Sequence, residues 1–144
     1  MDNKEKNVNV NFRSVKFNLK NVKFDFLGHT SEHLEIKVVD NVIPTNISMT
    51  GFDLIFERRL DFSPNKLFSI KIEYLVNCLF DDNAVSFFNG DQAKIEDFIE
   101  RSRIGIINAL PIVSQSSLLV AELSNISNQK PLILPPVLKD PYKK

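Results

Sequence analysis

The side chains with chemistry to offer are few and scattered. His29 and His33 lie four apart with Glu32 between them. That spacing puts two metal ligands on one face of a helix, yet the surrounding residues read as a turn and supply no third ligand. A solvated loop is the plainer reading, and no metal is expected. Cys78 is the only cysteine, which excludes an intrachain disulfide, and one cysteine with two histidines cannot complete the usual closed zinc site. It follows an apolar run with no neighbour to hold a thiolate, so an inert buried thiol is expected. The pair Asp81-Asp82 reads as a turn at a strand end, because nothing nearby would separate two carboxyl pKa values into acid and base roles. Ser114, Ser116 and Ser117 lack the glycine-flanked elbow and the histidine of a serine nucleophile, and read as helix packing. Arg58 is the one charge on an otherwise apolar strand phase. A buried ion pair, a side chain that snorkels out and a contact with a subunit neighbour are all open to it. This set does not point to an enzyme.

Composition narrows the classes further. Lys plus Arg and Asp plus Glu number 18 each in 144 residues, so no global field draws the chain to nucleic acid or to an anionic membrane. No apolar run of about 18 residues occurs and the polar opening has no signal-peptide core, so membrane insertion is not expected. The lone cysteine fits a reducing cytoplasm. Four glycines leave little for a phosphate-holding loop, and no nucleotide or other cofactor is expected. One domain is expected at this length.

The elements that must position these residues are strands first and helices after. Val15, Phe17 and Leu19 alternate with polar residues on odd positions, and Val22, Phe24 and Phe26 continue on even ones. A bulge or break near Lys20 and Asn21 therefore bends one first strand. Leu34, Ile36 and Val38 mark a second strand that fades near Asn41 and Pro44, and Phe52, Leu54, Phe56, Leu60 and Phe62 mark a third. After the Ser63-Pro64-Asn65 turn, Phe68, Ile70, Ile72, Tyr74 and Val76 make a fourth. Short connections predict an antiparallel meander. The period becomes helical after Asp91, an N-cap residue type, with Ile95, Phe98, Ile99, Ser102 and Ile106 on one stripe. Pro111 should kink or restart the helix, and a second stripe of Ile112, Leu119, Leu123 and Ile126 runs to about Ser127. Pro131, Pro135, Pro136 and Pro141 then forbid a regular helix, so an extended tail is expected.

Three stretches carry a family likeness. Leu19-Lys20-Asn21-Val22-Lys23-Phe24-Asp25 resembles the first-strand motif of SecB export chaperones, and residues 65–80 resemble their fourth strand. Residues 108–124, with Pro111 near the start, look like the family's long helix, and 131–137 like the proline-flanked apolar stretch that follows it. The likeness covers about 12–138 of the chain. It implies an α+β fold, a four-stranded antiparallel sheet with a long, kinked helix packed on one side. It also implies a SecB-like domain at 12–138 between flexible ends at 1–11 and 139–144, assembled as a homotetramer, a dimer of dimers.

The function so implied is an ATP-independent holdase for unfolded or pre-secretory proteins. Its client-binding positions would be Phe68, Ile70, Ile72, Tyr74, Leu118, Leu132 and Leu134, each of which would otherwise be core packing. Delivery to the SecA motor of the Sec translocase would use Asn21 and Asp25, with Asn21 standing where an acid is expected. The family's later helix has almost no counterpart, which would leave the groove more open. A related branch serves antitoxins of toxin–antitoxin systems, and an antitoxin is the alternative partner. A small-ligand carrier or an adaptor module is the rival of another class, and predicts an enclosed pocket with converging polar groups.

Overall fold

The computed structural model describes residues 10–28, 30, 33–126 and 130–142. Four strands, β1 (Phe12–Gly28), β2 (Glu35–Thr45), β3 (Gly51–Ser63) and β4 (Leu67–Phe80), precede three helices, α1 (Asp82–Phe88), α2 (Gln92–Ala109) and α3 (Ile112–Ile126). Each strand is antiparallel to its neighbours in the order β1-β4-β3-β2. The meander holds for β2, β3 and β4 only, because β1 lies beside β4 at the edge opposite β2. Length and polarity explain the departure. β4 is buried at every even position from Phe68 to Phe80, and left at an edge it would expose a long unpaired ladder. β1, at 17 residues, covers the 14 of β4 from end to end, which the 11-residue β2 could not do. Gly28 pairs with Leu67 and Glu35 with Ser63, so the chain crosses the same end of the sheet by about three strand spacings, or about 14 Å.

The change of apolar phase in β1 is a bulge. Leu19 pairs with Tyr74 and Asn21 with Glu73, which leaves Lys20 without a partner. Before it, Val15 and Phe17 stand opposite Cys78 and Val76, and after it Val22, Phe24 and Phe26 stand opposite Ile72, Ile70 and Phe68. One extra residue thus returns both apolar runs to the side that the helices cover.

Asp81 caps α1 by accepting from Ala84 N at 2.8 Å, so the Asp81-Asp82 pair begins a helix and is not merely a turn. Asp91 caps α2 in the same way, through Lys94 N at 3.3 Å. Leu110 is extended (φ −101°, ψ 154°) because the ring of Pro111 excludes the residue before it from helical geometry. α2 and α3 therefore meet at a 57° bend. Ile95, Ile99, Ile107, Ile112, Val113 and Val120 from these helices close the core over β3 and β4. At the end where α1 and α2 begin, Phe12, Phe52, Phe80, Phe88 and Phe98 pack with ring centroids 5.0 to 6.2 Å apart.

Candidate binding groove

Arg58 is the buried charge around which the helix side of β2 and β3 is organised. Its side chain is 2% exposed. Nε and Nη2 donate to Asp40 Oδ1 and Oδ2 at 2.7 and 3.1 Å, and Nη1 donates to Ser116 Oγ and Ser117 Oγ at 3.1 and 2.8 Å. A planar fork suits this task, since it meets a carboxylate with two parallel bonds and still has a third nitrogen for α3. The Ser116 hydroxyl also donates to Val113 O at 2.8 Å, and the single Ser117 proton has two acceptors within reach, Val113 O at 2.9 Å and Pro135 O in the C-terminal segment. Of the readings open to Arg58, the buried ion pair is the one realised, and the serines are its acceptors. A signal for the pair was present in the sequence. Asp40 continues the even phase of Ile36 and Val38 just as Arg58 continues that of Phe56 and Leu60, and the two face each other across the strands.

The C-terminal segment lies along this region. Leu132 N donates to Ser124 Oγ at 2.9 Å, Ser117 Oγ donates to Pro135 O at 3.0 Å, and the Asn108 amide bonds both backbone groups of Leu138 at 2.7 and 2.9 Å. Leu132, Leu134 and Leu138 are partly buried against the core, while Ile133 is 81% exposed. Between this segment and the β2 edge opens a mainly apolar cleft of about 500 Å³, lined by Val38, Arg58, Leu134, Val137 and Leu138 among others. Ile36 and Val38 are substantially exposed on the same face. β2 is an edge strand, so alternate backbone groups point outward. Arg103 Nη1 takes Val42 O at 2.6 Å and Pro44 has no N–H, which closes one half of that edge and, among the described residues, leaves the stretch 36–40 open.

The seven expected client positions are not brought together. Phe68, Ile70, Ile72 and Tyr74 are at most 2% exposed and lie in the core beneath the helices, where an apolar strand phase is most stable and no client could reach it. Burial also raises the Tyr74 pKa, and its hydroxyl donates to Gln115 Oε1 at 3.2 Å. Leu118 sits on the outer face of α3, 60% exposed. Leu132 and Leu134 do share a face, as their spacing predicts, but it is the inward one. Asn21 and Asp25 are both exposed on the sheet face away from the helices, beside a hollow of about 290 Å³ shared with Lys23, Arg59, Asp61 and Lys71. Lys23 Nζ stands 3.6 Å from Asp25, so the charge there is mixed.

Cys78 is buried, and desolvation followed by the Asp53 charge pushes its thiol up to about 12. His33 is exposed, and His29 and Glu32 lie outside the described residues, as does Ser127. Among the described residues no three His, Cys, Asp or Glu side chains gather as metal ligands, and no single helix is long and apolar enough to cross a membrane.

A four-stranded antiparallel sheet in this order, with helices on one face and an apolar cleft at its β2 edge, defines an α+β protein of the SecB-like fold. Among solved structures, the chain superposes on the Mycobacterium tuberculosis SecB-like chaperone Rv1957 in complex with a ChAD peptide from the HigA1 antitoxin. The TM-score is 0.61 over 92% of each chain, at 9% identity. No family model matches the sequence, and no curated protein matches it.

Proposed function

We propose that this protein is a chaperone that works without ATP by holding extended apolar segments of client proteins beside β2. The observation that carries the reading is the pairing of an apolar cleft with an open stretch of edge strand at Val38, on a fold shared with a chaperone that binds an antitoxin peptide. Edge backbone supplies hydrogen bonds that ignore sequence, and alternate side chains of an added strand enter the cleft. At about 25 cal/mol per Å² buried, a few such side chains give useful, reversible affinity with no nucleotide step. Of the charged residues lining the cleft, Arg58 and Asp40 are matched to each other and Lys139 stands apart from them in a mainly apolar lining, which supports a surface for apolar segments over a small-ligand site.

An antitoxin is the client class that this surface favours over the SecA pathway. The peptide bound by the structural neighbour supports it, and the mixed charge around Asn21 and Asp25 argues against a docking face for SecA. We place the protein in the cytoplasm as a homotetramer, whose repeated grooves would hold one long client by avidity. The test combines light scattering with suppression of aggregation of a slowly refolding protein, without ATP. Saturable suppression is expected, and a protein that leaves aggregation unchanged and binds no apolar peptide would overturn the reading.

A further inference from the structure

The segment 131–138 is itself an apolar chain laid along the folded body, extended over 131–135 and bent at 136–137, and its anchors have an unusual property. Each polar anchor is a side chain of the folded body holding the backbone of the segment. Ser124 Oγ accepts from Leu132 N, Ser117 Oγ donates to Pro135 O, and Asn108 bonds the N–H and the carbonyl of Leu138. None of these bonds reads a side chain, so any extended polypeptide could take the same grip at Ser124 and Ser117. The apolar part is equally general, with leucines turned inward and Ile133 turned out in the two-residue period of an extended chain.

The anchors also release at small cost. The Ser117 hydroxyl has one proton to donate and finds Val113 O at 2.9 Å as well as Pro135 O at 3.0 Å, so it stays satisfied when the segment leaves. Ser124 Oγ keeps its own bond to Ala121 O at 3.0 Å. Asn108 alone makes two bonds to the segment, which it must exchange for water when the segment leaves, and this makes it the main latch.

We infer that residues 131–138 are an autoinhibitory strap. They wall the cleft on the side away from β2, and an extended peptide with apolar residues at alternate positions gains the wider groove by displacing them and taking their place at Ser117 and Ser124, while Asn108 holds the strap alone. This rests on the chaperone reading above and adds the control of access to its site. Apparent client affinity is then the intrinsic affinity multiplied by the fraction of molecules whose strap is open.

The experiment measures binding of a fluorescein-labelled peptide with leucine at every second position by anisotropy. It compares wild type, Asn108→Ala, and a Gly105→Cys/Asp140→Cys variant before and after a short bis-maleimide bridge. A Cβ added at Gly105 stands 3.7 Å from Asp140 Oδ2, which puts the two thiols within reach of one reagent, while Cys78, 1% exposed, is shielded from it. Losing both Leu138 bonds should tighten binding by about five-fold or more, and bridging should weaken it relative to the same variant unbridged. Asn108→Ala binding no more tightly while melting cooperatively, or a bridged form that binds as well as the unbridged one, would overturn the strap and leave the chaperone reading standing. If Asn108→Ala does not fold, the bridged and unbridged pair decides alone. A silent wild type with a binding Asn108→Ala supports the strap, whereas failure of every form to bind removes the chaperone reading and the strap with it.

Discussion

Arg58 and Asp40 form an unequal pair, because the arginine is buried and the aspartate side chain is 24% exposed. Removing the carboxylate leaves a desolvated cation with only two hydroxyls, and breaking a buried pair in this way costs about 3 to 5 kcal/mol. Removing the cation with a residue of similar volume leaves a carboxylate that water can reach. Asp40→Ala should therefore destabilise by about 3 kcal/mol and Arg58→Met by clearly less, as measured by urea unfolding. The reverse order would mean that Asp40 is not the counter-charge. Cys78 supplies a second prediction. Its folded pKa lies near 12 against a reference of 9.0, so between those values the unfolded chain loses a proton that the folded chain keeps. Stability is then full below about pH 9 and falls as pH rises towards 12. The Tyr74 pKa, also raised, acts in the same direction from a higher starting pH. Cys78→Ala should flatten part of the alkaline decline in urea titrations, and an unchanged slope would show that the thiol is not shielded. The inert thiol was legible because Cys78 continues an apolar phase. The Arg58–Asp40 pair was legible only in halves, since nothing local says that two phase-breaking charges on separate strands will meet.

The bulge in β1 shows what a pattern can and cannot specify. Its phase change is local, so the position near Lys20 could be read directly. The pairing of β1 with β4 depends on which distant strand matches its length and burial, and short connections favoured the wrong neighbour. α1 was missed because Asp82–Phe88 is seven residues long, too short for a helical stripe to separate from a turn, whereas Pro111 marks the α2–α3 break through its ring. The bulge carries a prediction at this scale. Without the extra residue, either Val15 and Phe17 or Val22, Phe24 and Phe26 must face away from the helices. Deleting Lys20 should cost several kcal/mol, while Lys20→Ala, which keeps the count, should stay within about 0.5 kcal/mol. Thermal melts of the two variants that coincide would mean that the register slips freely.

The whole molecule leaves apolar surface at both ends of the sheet order. At the β1 edge, Leu19, Val22 and Phe26 are each roughly half exposed on the helix side, and Leu118 is exposed on the outer face of α3. Only about half of each β1 side chain remains to be buried, so at about 1.5 to 3 kcal/mol for full burial, three from each of two copies yield roughly 7 kcal/mol. That falls within the estimated 4 to 15 kcal/mol cost of bringing two chains together, so side chains alone do not secure a dimer. Backbone pairing along β1 must contribute. The β2 edge is a poorer choice for this, being closed in part by Arg103 and Pro44, which leaves it to the clients proposed above. A second interface through Leu118 on α3 would join two such dimers into the proposed tetramer. The sequence suggested this assembly through family likeness and through more apolar strand and helix surface than one small domain can easily cover, but not which surfaces would meet, because exposure at an edge depends on strand order. Three light-scattering masses decide the matter. Wild type should weigh four chains of 16.5 kDa at micromolar concentration, Leu118→Lys half of that, and Val22→Lys/Phe26→Lys well below wild type with cooperative melting retained. Asn108→Ala, which lies at the strap and away from both interfaces, should keep the wild-type mass. A wild type that remains a stable monomer would reject both interfaces and leave a single groove to account for client affinity without avidity.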